Sequence, residues 1–118
     1  MPQTLSQLTE RLIEFRDARD WHQFQGLKNL IVSLNLEASE LLELTQWKDD
    51  EEVESALGEP AFKAKLEEET ADVLLYLLLV CERANIDLGQ AAARKIDINA
   101  TKYPVEKARG NARKYTEL

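Results

Sequence analysis

The 118-residue chain is predicted to be all-α, an antiparallel helical bundle completed by oligomerisation. Three observations predict it. Apolar residues recur at intervals of three and four along most of the chain, the spacing that lines one face of a helix. Two helix-start signatures, Thr4 with Gln7 and Asp87 with Gln90, stand immediately before such stretches. No segment shows the apolar–polar alternation of a half-buried strand strongly enough to compete.

The elements follow in order. After Thr4, the residues Leu5, Leu8, Leu12 and Phe15 define a first helix over about 4–19. A loop through Trp21 and Gly26 leads to a second helix over about 27–47, whose inner stripe is Leu27, Leu30, Leu34, Glu37, Leu41 and Leu44. Asp49 and Asp50 mark its end, and residues from about 50 to 57 form a short helix before Gly58. Pro60 suits the first turn of the next helix, expected over about 61–84 with Phe62, Leu66, Glu69, Val73, Leu77 and Val80 on one face. Its run Val73 to Cys81 is apolar around nearly the whole circumference, which calls for burial on several sides. A chain this short scarcely supplies that many neighbours, so the helix is expected to pack against another subunit as well. Asn85 ends it in a turn. The last helix starts at Asp87 and runs to about Lys102, where Pro104 stops it.

Length implies one domain spanning 1–118, with a helical core over about 4–104 and a basic tail over about 105–118. Fifteen Lys and Arg against 22 Asp and Glu leave a formal charge of −7, which opposes binding to a nucleic-acid backbone. A small anionic substrate remains compatible, given metal ions and a few placed basic groups. Cys81 has no partner for an internal disulfide and sits in the apolar run, so it reads as a small core residue. No apolar run approaches the roughly 20 residues that span a bilayer, and the expected location is the cytoplasm.

The sharpest anomaly is a pair of acid pairs. Glu37/Glu40 and Glu69/Asp72 each place two carboxylates three residues apart, on one helix face, within stripes that are otherwise apolar. Desolvating an ionised carboxylate costs several kcal/mol unless something compensates it, and few cations stand on those faces. Two such clamps facing each other would cage a hard cation, for which Mg2+ is well suited. A single E-x-x-E on a solvated face is commonplace; two pairs interrupting two apolar stripes favour a site.

Other side chains suit a nucleotide. Trp21 and Trp47 flank the ends of the acid-bearing region, where they either stack a base or cap the bundle. Lys95, Asn99 and Tyr103 fall four apart on one side of the last helix, an ammonium, an amide and a phenol fit to contact phosphate and sugar. Tyr76, four residues beyond Asp72, offers a hydroxyl in an apolar helix. His22 has no second histidine with which to build a nitrogen site. The tail, with Lys107, Arg109, Arg113 and Lys114, reads either as a solvated terminus or as an arm over an anionic site or a neighbouring subunit.

With E-x2-E, a 28-residue interval and E-x2-D on helices, the chain resembles the MazG-like nucleotide pyrophosphohydrolases. The segments WHQF at 21–24, KNL at 28–30, EASELLELTQW at 37–47, EEETADVLLYL at 67–77, KIDINATKYP at 95–104 and the terminal ARGNARKYTEL are similar to the dCTP pyrophosphatase branch. The resemblance implies Mg2+-dependent cleavage of a nucleoside triphosphate, dCTP or a modified dCTP, into the monophosphate and pyrophosphate. It implies Glu37, Glu40, Glu69 and Asp72 as metal-binding and catalytic residues. Trp21 and Trp47 would flank the base, Lys95, Asn99 and Tyr103 would contact phosphate or sugar, and Tyr76 would assist. It also implies a homo-oligomer, with a tetramer favoured and a dimer the simpler form. Two departures stand out: Leu36 occupies the place of a further Glu in much of the superfamily, and Leu12 stands where some relatives in the branch carry a histidine. A broader nucleotide specificity is therefore the alternative substrate reading, and an acidic protein-interaction module the non-enzymatic one. A di-iron bundle is disfavoured because no Glu-x-x-His motif occurs.

Overall fold

The computed structural model describes residues 2–118, which form helices and turns with no strand among the described residues. The chain divides into two compact units, Met1–Asn85 and Ile86–Leu118. The first holds α1 (Leu5–Ala18), a 3-10 turn (His22–Phe24), α2 (Leu27–Glu43), α3 (Asp50–Ala56) and α4 (Pro60–Ala84). The second holds α5 (Leu88–Lys102), α6 (Val105–Ala108) and a terminal 3-10 turn (Tyr115–Glu117).

Local chemistry sets the boundaries. The Thr4 hydroxyl accepts from the Gln7 backbone N–H at 3.1 Å while the Gln7 side chain accepts from the Thr4 N–H at 2.9 Å, closing the predicted capping box. Asp49 and Asp87 cap α3 and α5 by accepting from Glu52 N and Gln90 N. Pro60 opens α4, and Asn85 closes it in the left-handed conformation at φ 54°. One boundary differs from the sequence expectation. Helix α2 stops at Glu43 instead of running to Trp47. Thr45 turns its hydroxyl onto Leu42 O at 2.7 Å, and the backbone tightens through Leu44 N to Leu41 O and Thr45 N to Leu42 O. Trp47 then takes φ 66° and turns the chain toward α3.

Within the first unit α4 packs along α2 and also meets α1. The α2–α4 pair runs antiparallel: Glu37 and Glu40 meet Glu69, whereas Leu41, Leu42, Leu44 and Thr45 share an apolar cavity of about 350 Å³ with Phe62 and Leu66 nearer the start of α4. The core is small, comprising Leu30, Ala56, Leu78, Leu79 and Cys81 among the described residues. Leu78 and Leu79 come from the apolar run of α4, but Val73 to Leu77 and Val80 are only half-buried. Leu27 and Phe15, both expected on inner stripes, are more than two-fifths exposed. Among the described residues one charged side chain is buried. The Arg16 guanidinium donates to Asp17 at 2.9 Å and to Glu82 on α4 at 3.1 Å, tying the end of α1 to the end of α4.

The tail carries a short helix and turns. Pro104 introduces α6, Gly110 takes φ 77°, and the last residues return in the second 3-10 turn. No helix among the described residues is long and apolar enough to cross a membrane.

Candidate active site

Antiparallel packing of α2 on α4 brings the acid pairs together, because the three-residue spacing within each pair fixes which carboxylates face the other helix. Oxygen atoms of Glu37, Glu40 and Glu69 all lie within 4.8 Å of one another. Glu37 and Glu69 are half-buried and Glu40 is exposed. The Oε2 atoms of Glu37 and Glu69 are each sealed from solvent without a hydrogen-bond partner. Such orphaned carboxylate oxygens are rare and costly in folded proteins.

Their electrostatics match. Burial pushes the Glu37 carboxyl above its ordinary range, and the adjacent Glu40 and the charges of Asp72 and Glu69 push it further. Glu69 is raised in the same way, by burial first and then by Glu40 and Asp72, with Lys65 opposing. Asp72 is half-buried and close enough for its charge to be felt by both glutamates, but it stands outside the tight group of three. An all-oxygen set with two uncompensated oxygens and mutually repelling charges is what a hard divalent cation would satisfy. The residues present therefore fit such an ion.

The other predicted residues are placed as follows. Trp21 lies at the start of the 3-10 turn, 44% exposed, with its ring edge-to-face against Phe15 at 5.7 Å between centroids and 75° between planes. The Arg19 guanidinium covers the Phe15 ring at 3.6 Å and also donates to Phe15 O. This Arg19–Phe15–Trp21 stack was not foreseen, since helical spacing assigned Phe15 to the core. The signal available was the F-x-x-x-R spacing of Phe15 and Arg19 followed closely by Trp21. Trp47 stands in the α2–α3 turn, not on α2, and is 92% exposed. A tryptophan held at positive φ with its indole in water is an unusual pairing for folding alone. Tyr76 is half-buried on α4, one turn beyond Asp72. In the second unit, Lys95 and Asn99 are exposed along α5 and Tyr103 caps it, donating its N–H to Asn99 O at 2.8 Å.

The sequence profile of the MazG-like family matches residues 32–118, a stretch that includes all four acids. The chain belongs to the MazG-like family. Among curated proteins it is similar to dCTP pyrophosphatase 1 of Bos taurus, 44% identical over 115 residues covering 98% of this chain and 68% of the relative. The Homo sapiens protein of the same name matches at the same identity and coverage. Among solved structures, a pyrophosphatase from Archaeoglobus fulgidus superposes with a TM-score of 0.80 at 41% identity, covering 88% of this chain and 95% of that one. The all-α architecture expected from helical periodicity is thus shared with this pyrophosphatase.

Proposed function

We propose that this MazG-like chain hydrolyses dCTP, and cytosine-modified dCTP, to the monophosphate and pyrophosphate, with Mg2+ held by Glu37, Glu40, Glu69 and Asp72. The observation that carries the proposal is the cluster of carboxylates with two sealed, unpartnered oxygens, in a chain whose relatives over nearly its full length are named dCTP pyrophosphatase 1. Bound there, Mg2+ supplies positive charge against phosphate oxygens and eases ionisation of water.

The chain's own residues divide the remaining work. Glu37 and Glu69, half-buried and raised in pKa without a cation, are the anchoring pair. Glu40, the exposed member, accepts the proton that the attacking water loses as it closes on the α-phosphorus. Trp21 and Trp47 present indole faces to the base, Trp21 braced by Phe15 and Trp47 standing free. Tyr76 orients an acid or a water beside Asp72, and Lys95, Asn99 and Tyr103 contact phosphate and sugar.

The working form is a homo-oligomer, a tetramer in preference to a dimer, acting in the cytoplasm. Support comes from α4, where Val73 to Leu77 remain half-buried in a single chain, and from exposed Ile31, Val32 and Leu36 on α2. Pyrophosphate release with and without Mg2+ from dCTP, 5-methyl-dCTP, the other deoxynucleotides and the ribonucleotides tests the proposal. Mg2+-dependent, cytosine-selective release is expected. Release from all of them would widen the substrate class, and no release from any would leave the acidic interaction module as the better reading.

A further inference from the structure

We propose that the C-terminal segment 109–118 is a built anion strap, in which Arg113 and Lys114 grip a polyphosphate chain while Tyr115 fixes the strap to Tyr103. The inference rests on the triphosphate reading above and extends it to residues with no assigned role.

The charge distribution comes first. Residues 86–118 hold seven Lys and Arg against four Asp and Glu, in a chain that is strongly acidic overall. Both ion pairs found among the described residues belong to Arg16, so none of those seven cations is neutralised by a carboxylate. Cations without a carboxylate partner, concentrated in one short unit, form a local positive field despite the net charge of −7.

The second observation is that the segment is held in place. Gly110 adopts φ 77°, a conformation that a side chain disfavours, and reverses the chain after α6. Asn111 locks the reversal: its amide donates to Lys107 O at 3.0 Å and its carbonyl accepts from Arg113 N at 3.0 Å. Tyr115 then lands edge-to-face on Tyr103, 6.0 Å between centroids and 80° between planes, under the Lys102 ammonium at 4.7 Å. A terminus serving only for solubility needs neither a left-handed glycine nor a side-chain-locked turn nor an aromatic anchor.

The anchor point sets the ligand. Tyr103 ends the stripe of Lys95, Asn99 and Tyr103 on α5, and Lys114 is one residue from the ring that touches it. The strap thus adds an ammonium and a guanidinium to the end of that stripe, and the guanidinium's planar fork suits two phosphate oxygens at once. Both side chains are exposed and free to receive a ligand. A monophosphate would engage the existing stripe, whereas a longer phosphate chain would reach the strap.

The test uses the full chain and inorganic tripolyphosphate, titrated calorimetrically at fixed Mg2+. The Arg113→Gln/Lys114→Gln double variant is expected to bind at least tenfold more weakly than the unaltered chain. Tyr115→Ala should lose several-fold, with Tyr115→Phe restoring binding to within twofold because the ring contact survives. The same double variant should raise KM for dCTP far more than it lowers kcat. Equal tripolyphosphate affinity in the double variant, or none in the unaltered chain, overturns the strap. Failure of the substrate reading looks different: strap-dependent tripolyphosphate binding with no pyrophosphate released from dCTP. Circular dichroism of each variant guards against misfolding, which these exposed positions are not expected to cause.

Discussion

Neutralising Glu37 should make the metal-free protein more stable while destroying its activity. The two effects have one cause. Oxygens of Glu37 and Glu40 lie within 4.8 Å, a separation at which two unit charges repel by about 3.5 kcal/mol at an effective dielectric of ~20 and by about 0.9 kcal/mol in bulk water. Glu37 is only half-buried, so the effective figure falls toward the lower end, and Glu37→Gln should gain about 1–2 kcal/mol at pH 8. For a domain of this size that is a rise in Tm of about 4–8 °C.

The pH dependence identifies the source. A carboxyl raised in the folded state stabilises the fold fully below its unfolded value, and that contribution disappears as pH climbs through the raised folded value. The Tm difference between Glu37→Gln and the unaltered chain should therefore be near zero at pH 4 and grow steadily above the ordinary glutamate range. Thermal unfolding after chelation, at one protein concentration across pH 4 to 8.5, reads it directly. Adding Mg2+ at a hundred times its Kd should return about 2.7 kcal/mol to the unaltered chain and less to the variant. A Glu37→Gln protein no more stable than the parent at pH 8, or a difference independent of pH, would refute the account of two repelling, unpartnered carboxylates.

Asp72→Ala should reduce kcat/KM for dCTP about a thousandfold, about 4 kcal/mol of barrier, with the far-ultraviolet spectrum unchanged; near-normal turnover removes Asp72 from the site. Phe15→Leu should raise KM for dCTP by about two- to tenfold with little change in kcat, since an aromatic pair is worth about 0.5–1.5 kcal/mol and here it holds Trp21. A Trp47→Phe background isolates the Trp21 emission, which should shift in the same variant. Arg16→Met keeps the buried stem but drops the tie to Glu82, and should cost about 1–3 kcal/mol in urea unfolding. Leu79→Ala, at a core position 4% exposed, should cost about 2–5 kcal/mol; a loss under 1 kcal/mol would mean that α4 is not the central helix.

Much of the molecule is legible in the sequence because its signals are local. Helix starts at Thr4 and Asp87 depend on a side chain reaching an N–H three residues away, and Pro60 acts within its own turn. The acid cluster is legible for a related reason: helical spacing fixes a face, and a carboxylate on an apolar face must meet whatever that face meets. What escaped depends on contacts that periodicity does not encode. Phe15 obeys the helical spacing of its stripe but turns outward to carry Trp21. The end of α2 is decided by one hydroxyl at Thr45 competing for Leu42 O. Tyr115 reaches Tyr103 only because Gly110 and Asn111 reverse the chain, a geometry invisible until both ends of the turn are placed.

The same comparison explains why the site could be read when its neighbours could not. A protein that merely folds would fill position 37 of α2 and position 69 of α4 with apolar residues, as the flanking stripe positions Leu34, Leu41, Leu66 and Val73 do. Retaining glutamate there leaves two oxygens sealed without partners and raises both carboxyls, so the isolated fold carries a conflict between local pattern and buried charge. Exposed Trp47 at φ 66° is a second conflict of the same kind, an apolar ring left in water on a strained backbone. Conflicts that folding does not resolve require something outside the chain. Under the function proposed above, a divalent cation would resolve the first and a nucleobase the second, and one nucleoside triphosphate with its metal would supply both together.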